Sequence, residues 1–328
     1  MTANDNRLHF SDELRELVGG PMSDEKGRVI DPGPSKAGSH RLADAAKCLR
    51  KHFLKRERAR HQPSSTWTTV APFVKGTLVH LGLAQMYARM YCRQHEQDED
   101  EFLDPIDAMN AKARDYRAPP IWRAVLDDCI YSFQSYRSRW ELHDEARYDI
   151  IAIEKQYEIS VTDPDRDVEY CYTQRLDLGV REKSTGGVIF WDHKTTMNYQ
   201  SWIKYRYELA LQFVGYNALG ALHYPEFKST QINYIQLAGE KKSKSKPPTR
   251  IQPEFYRPTA NIAPAAGIQD LRWKVIQVER NIADFDPDTN PNIETPLDVP
   301  GAYDQRICRS SKDYACEFYE LCHSRRGN

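Results

Sequence analysis

Apolar residues recur along this chain with two different periods, and the change of period falls near residue 148. Before it, the three-to-four spacing of amphipathic helices dominates. A capped start at Ser39-His-Arg-Leu-Ala-Asp-Ala-Ala-Lys-Cys48 runs into Leu49–Arg58. Pro72 to about His95 is a second helix, with Val79, Leu83, Met86 and Met90 on its apolar side. The acidic run Glu96–Glu101 reads as a solvated connection, and residues 105–145, with Trp122, Val125, Tyr131 and Tyr136, read as a helical insertion. From Tyr148 the period is two. Ile150–Ile159, Tyr170–Gly179 and Val188–Lys194 are strands, the last two joined by turn residues between Arg181 and Gly187. A helix over Ser201–Leu222, carrying Trp202, Tyr205, Leu209, Phe213 and Tyr216, precedes a strand at Gln231–Leu237. The order strand, strand, strand, helix, strand predicts an α/β fold with a mixed central sheet. A last helix is expected near Gln269–Ile282.

Residues 1–38 are rich in Asp, Asn, Gly, Pro and Ser and are expected to be a weakly ordered leader. The remainder, 39–328, reads as one domain: a helical part to about 145, a sheet-bearing core over about 146–240, and a C-terminal part over about 241–328. That last part opens on the basic segment Lys241–Arg250 and ends in a cysteine-bearing tail. Hydrophobic residues make up 40% of the chain, enough for a core, and no window approaches a membrane-spanning run. A secretory signal is not expected from the polar start. The seven cysteines then point to a reducing, cytoplasmic setting, as free thiols or ligands. A net charge of −1 does not exclude a nucleic-acid enzyme, because a groove needs only local basic density while carboxylates serve a metal.

Candidate chemistry centres on Asp177 and on Asp192-His193-Lys194, carried by the two strands of the hairpin. Asp192 and Lys194, two apart, share a face, and His193 points the other way. Two carboxylates from neighbouring strands make a hard oxygen site for Mg²⁺ or Mn²⁺, beside which a lysine can orient water or offset developing charge. The same spacing also suits a cross-strand ion pair. Gln212 and Tyr216 lie one helical turn apart on the following helix, placed to hydrogen-bond a phosphodiester or a base edge, or to serve as boundary and core residues. His80, in Gly76-Thr-Leu-Val-His80, is a polar boundary residue or a ligand where carboxylates complete the shell. Cys308, Cys316 and Cys322 cluster near the end, and with the distant Cys48 they can complete a Cys₄ shell for a [4Fe–4S] cluster or zinc. Cys92, Cys129 and Cys171 are expected to be small buried hydrophobes.

Taken in order, Ser39…Cys48-Leu-Arg-Lys…Arg56, Gly76-x-x-x-His80, Arg175-x-Asp177, Asp192-x-Lys194, Gln212-x-x-x-Tyr216 and the three closing cysteines resemble the RecB-like branch of the PD-(D/E)XK nucleases. More closely, they are similar to its iron–sulfur members: AddB-type nuclease domains, CRISPR-associated RecB-like nucleases and exonuclease V. The resemblance implies a restriction-endonuclease-like core with a helical insertion and a Cys₄ cluster joining the N- and C-terminal parts. It implies that His80, Asp177, Asp192 and the His193 backbone carbonyl bind the catalytic metal, and that Lys194 positions the attacking water. By the same resemblance Gln212 and Tyr216 hold the scissile strand, Thr195 and Thr196 touch phosphate, and Cys48, Cys308, Cys316 and Cys322 bind the cluster. The second acidic position is Asp192 where many relatives have Glu, and the tail spacing is wider than the common C-x₂-C. Glu154, on the preceding strand, reads as an exposed structural carboxylate.

The expected activity is therefore Mg²⁺/Mn²⁺-dependent hydrolysis of DNA, as an exonuclease on single strands or ends. The alternatives are a CRISPR-adaptation-type or helicase-associated nuclease subunit and a non-catalytic DNA-end-binding scaffold. The sequence holds no helicase P-loop, so a motor would be a separate chain, and the self-contained architecture suits a phage or bacterial source. The cluster's expected task is structural, closing a helical arch through which single-stranded DNA passes, in a recombination or repair setting.

Overall fold

The computed structural model describes residues 16–18, 30, 39–61, 71–115, 121–197, 210–241, 249–258, 265–301, 309–311, 314–316, 318 and 322. In chain order the helices are α1 (Ser39–Lys47), α2 (Leu49–His61), α3 (Ala71–Gln94), α4 (Pro105–Asp115), α5 (Ile121–Arg147), α6 (Leu211–His223) and α7 (Ala265–Asp284). The strands are β1 (Tyr148–Asp163), β2 (Val168–Glu182), β3 (Val188–Thr196), β4 (Phe227–Gln236), β5 (Gly239–Lys241), β6 (Thr249–Ile251), β7 (Glu254–Tyr256), β8 (Arg309–Ser311) and β9 (Tyr314–Ala315). No described helix is long and apolar enough to cross a membrane.

A five-stranded sheet in the order β1-β2-β3-β4-β7 confirms the α/β class. Its pairing is mixed: β2 runs antiparallel to β3, β3 parallel to β4, and β4 antiparallel to β7. Two sequential strands can lie parallel only if the chain crosses over between them, and α6 lies within that crossover. Its residues Phe213 to Gly220 are all buried. A β-carbon on Gly220 would fall 2.2 Å from the Phe227 ring, so the glycine lets that ring pack directly on the helix backbone.

The chain forms two compact units. The first comprises Met1–Ser35, Thr69–Tyr157 and Gln174–Pro264, and the second Lys36–Thr68, Glu158–Thr173 and Ala265–Asn328. The first has a continuous apolar core in which Val79, Leu83, Met86 and Met90 of α3 are buried, together with Phe133, Tyr136, Leu178, Val180 and Trp191. In the second, apolar burial is accompanied by arginine–carboxylate pairs. Arg41 grips Glu279 at two points, Arg56 holds Asp286 at 2.8 and 2.6 Å, Arg166 holds Asp284 at 2.8 and 2.9 Å, and Arg280 binds Asp163 and Asp165.

Several element boundaries differ from the sequence reading, each for a local reason. The helix expected from Ser201 begins, as described, at Leu211, because Ala210 is its extended N-cap; Trp202, Tyr205 and Leu209 lie outside the described residues. Strands β1 and β2 continue past Ile159 and Gly179, since backbone pairing persists where side-chain alternation fades. The basic segment after Lys241 is flanked by the paired strands β5 and β6. Strand β7 is three residues long, too short for a period to show. Within the stretch read as a leader, Leu17, Val18 and Ile30 are buried, and Val18 bridges in parallel to Ile153. Cys92 and Cys129 are buried as expected, but Cys171 is exposed on β2, its thiol 3.9 Å from Glu158 Oε2.

Candidate metal-binding active site

Four elements of the first unit meet around the carboxylates. The β2–β3 register sets Leu178 opposite Trp191, which brings Asp177 beside the Asp192–His193 segment. Asp177 Oδ2 accepts the His193 backbone N–H at 2.7 Å. From α3, His80 Nδ1 comes within 3.7 Å of the same oxygen, and its ring is hydrogen-bonded to the His193 backbone. Glu154 of β1 completes the group: ligand atoms of His80, Glu154 and Asp177 all lie within 4.8 Å of one another.

Glu154 was not recognised as a site residue. It is buried, not exposed, and its φ of 48° puts it in left-handed backbone inside a strand. Ala152, Ile153 and Glu154 are buried in succession, so the strand's alternation breaks here and the carboxylate is re-aimed inward. The available signal was an acidic residue closing the apolar run Ile150-Ile-Ala-Ile.

Asp192, fully buried, is held from the other side. Lys194 Nζ donates to its Oδ1 at 3.0 Å, Gln212 Nε2 donates at 2.9 Å, and the Tyr216 hydroxyl lies 3.2 Å away. The other oxygen, Oδ2, is 2.7 Å from Lys194 Nζ. Gln212 and Tyr216, expected to hold the scissile strand, both lie against the Asp192 carboxylate. Tyr216 is 1% exposed, with its hydroxyl also 2.8 Å from the Arg175 carbonyl. Gln212 Oε1 accepts from Lys194 at 3.2 Å. Thr195 lies beside α3, its hydroxyl 3.3 Å from where a Gly76 β-carbon would stand.

Burial dominates the electrostatics. It raises Asp177 to about 6 and raises Asp192, against the pull of the Lys194 ammonium on both. Burial, reinforced by Lys194, lowers His80 to about 4, so its imidazole is neutral and free to ligate at physiological pH. His193 is pushed well below its ordinary value by burial, then by His80, Arg257 and Lys194. Buried carboxylates raised in this way are relieved by a bound cation. Oxygen donors with one neutral imidazole suit a hard divalent ion.

In the second unit, Cys48 sits between α1 and α2, Cys316 follows β9, and the Cys322 N–H donates to the Phe318 carbonyl at 2.9 Å. Burial raises the Cys322 thiol; Arg50, hydrogen-bonded to it, pulls it down, and the neighbouring Cys316 and Cys48 thiols push it up. Cys48 and Cys316 thus lie near enough to bear electrostatically on the Cys322 thiol, while Cys308 lies outside the described residues.

No curated protein matches this chain. Among solved structures it is similar to one described as the crystal structure of SSO0001, with 11% sequence identity and a TM-score of 0.29 over 65% of this chain and 88% of that one. Residues 39–323 match the PD-(D/E)XK nuclease superfamily, a span running from the start of α1 to just beyond Cys322 and containing every carboxylate, lysine and histidine of the site, and the chain belongs to that superfamily.

Proposed function

We propose that this nuclease is a divalent-metal-dependent DNA exonuclease acting on single strands or free ends. The observation that carries the reading is the convergence of His80, Glu154 and Asp177 within 4.8 Å, beside the buried Asp192–Lys194 pair. Nucleases of this superfamily usually use Mg²⁺ or Mn²⁺, and the donor set here suits either. Asp177, Asp192, Glu154, His80 and the His193 carbonyl would hold the ion. When bound, it supplies Lewis-acid neutralisation of the charge that develops on the phosphoryl oxygens.

The remaining steps fall to side chains of this chain. Lys194, 24% exposed and tied to Asp192 and Gln212, presents its ammonium at the rim of the site. There it orients the attacking water and offsets charge on the phosphate. Gln212 and Tyr216 fix the rotamer of Asp192 through its Oδ1, while Oδ2 faces the Lys194 ammonium. Thr195, beside them on β3, is placed to meet a phosphate.

We read Cys48, Cys308, Cys316 and Cys322 as thiolate ligands of a [4Fe–4S] cluster with a structural task. The electrostatic influence of Cys48 and Cys316 on the Cys322 thiol supports this. Protein purified without oxygen should be brown and contain iron and sulfide in equal amounts; zinc in place of iron would overturn the assignment.

The decisive experiment is cleavage of 5′- and 3′-labelled single strands with Mg²⁺, with Mn²⁺ and with chelator. Stepwise shortening from one end, lost with chelator, is the expected result. Undegraded strands under every metal condition would refute the reading.

A further inference from the structure

Behind the site lies a closed polar network within the first unit. Arg257, just past β7, makes a two-point ion pair with Asp144 of α5 at 2.6 and 2.7 Å. Both side chains are buried, 8% and 1% exposed. The guanidinium lies 3.8 Å from the Trp140 ring centroid and 4.4 Å from that of Trp191. Its Nε donates to Asn233 Oδ1 at 3.3 Å.

A guanidinium can only donate, so this contact fixes the orientation of the Asn233 amide. Asn233 Nδ2 then donates to the Tyr136 hydroxyl at 2.7 Å and to His193 Nδ1 at 2.9 Å. The Tyr136 and Tyr87 hydroxyls are 2.9 Å apart, and Tyr87 donates to Asp144 Oδ2 at 2.9 Å, closing the ring. Tyr87 also stacks on the His193 imidazole, with centroids 5.9 Å apart and planes 4° from parallel.

Trp191 and His193 flank Asp192 in sequence, and both are braced from this side. The His193 backbone is in turn what Asp177 and His80 bond to. We propose that Arg257 is a positioning residue for the metal site: it clamps Trp191 directly and His193 through Asn233, holding Asp192, Asp177 and His80 in register for the ion. The proposal rests on the metal-site reading above. It is independent of substrate, because each link is a contact within the folded chain.

The test is Mn²⁺ binding by calorimetry to the purified full chain, with melting temperature measured alongside. Arg257→Lys keeps the charge but loses the two-point geometry and the stacking plane. Asn233→Ser cuts the link to His193 while leaving the Arg257–Asp144 pair intact, and it keeps the test available should Arg257→Lys fold poorly. Each variant should weaken Mn²⁺ binding by about tenfold to a hundredfold, the usual cost of losing a group that orients a ligand. Asn233→Ser should do so while still unfolding in one cooperative transition. Binding within twofold of the parent for a folded Asn233→Ser protein would overturn the proposal. Asp177→Asn separates the two claims: if it binds Mn²⁺ as the parent does, the metal-site reading itself fails. If it loses binding while Arg257→Lys and Asn233→Ser keep theirs, only the positioning role fails.

Discussion

Asp177 and Asp192 in the first unit are carboxylates that burial pushes above their ordinary range, whereas Asp163 and Asp284 in the second are carboxylates that arginines hold below it. Asp163 and Asp284 each have a guanidinium bonded at two points, so their charge is answered within the chain. In the first unit the ammonium of Lys194 is shared between two acids, and Glu154 adds a third. Ion pairs of the first kind are structural ties. Buried carboxylates that share one ammonium carry an electrostatic cost that a bound cation would relieve.

The largest effect expected from this contrast is on catalysis. Asp192→Asn or Lys194→Ala should lower strand cleavage by roughly 10³-fold or more, the scale of losing a group that stabilises developing charge. Binding of a labelled single strand, measured by anisotropy, should stay close to the parent. Cleavage at parental rates by either variant would place the chemistry elsewhere.

The next effect is on stability. Mn²⁺ at about a hundred times its dissociation constant should add about 2.7 kcal/mol, a rise of several degrees in melting temperature. Asp177→Asn should abolish that rise. In chelator the same variant should melt no lower than the parent, because it removes a buried charge. A metal-induced shift that survives in Asp177→Asn would contradict the contrast drawn above.

A third variant, Cys322→Ala, addresses the second unit. It should lose the bound iron and lower the melting temperature by several degrees, since a ligand that binds only the folded state contributes to folding. Retention of a full iron complement would show that Cys322 is not a ligand.

The smallest effect concerns the ion pairs. Arg280 holds Asp163 at about 2, below its ordinary 3.8, so the pair stabilises the fold above the ordinary value and ceases to do so as pH falls through about 2. Arg280→Met should therefore cost a degree or so of melting temperature at pH 7, less in high salt, and nothing once Asp163 is protonated. A cost that persists unchanged in acid would mean that packing, not charge, is what Arg280 contributes.

Much of the site was legible because its spacing is local. Asp192-x-Lys194 needs only strand alternation, and Gln212 and Tyr216 need only one helical turn, so their placement together follows from elementary periodicity. Their contact with Asp192 was not legible, because periodicity assigns a face but not its partner. Glu154 was missed because the break in strand alternation that turns it inward is a backbone event at one residue. Arg257 and Asp144 left no pattern at all. They are 113 positions apart and meet only when the β7 segment reaches α5. The fold class was readable from element order, while the extended Ala210 before the crossover helix left no mark in the periodicity and β7 was too brief to register.

The parallel pairing of β3 with β4 has a consequence for the order in which the molecule is made. A chain emerging from the ribosome and ending at Thr196 already contains His80, Glu154, Asp177, Asp192 and Lys194, yet the amide and phenol that grip Asp192 are still unsynthesised. The partner strand that completes the edge of β3 comes later still. The topology thus leaves the Asp192 carboxylate without its amide and phenol partners, and β3 without its parallel neighbour, until α6 and β4 have been translated.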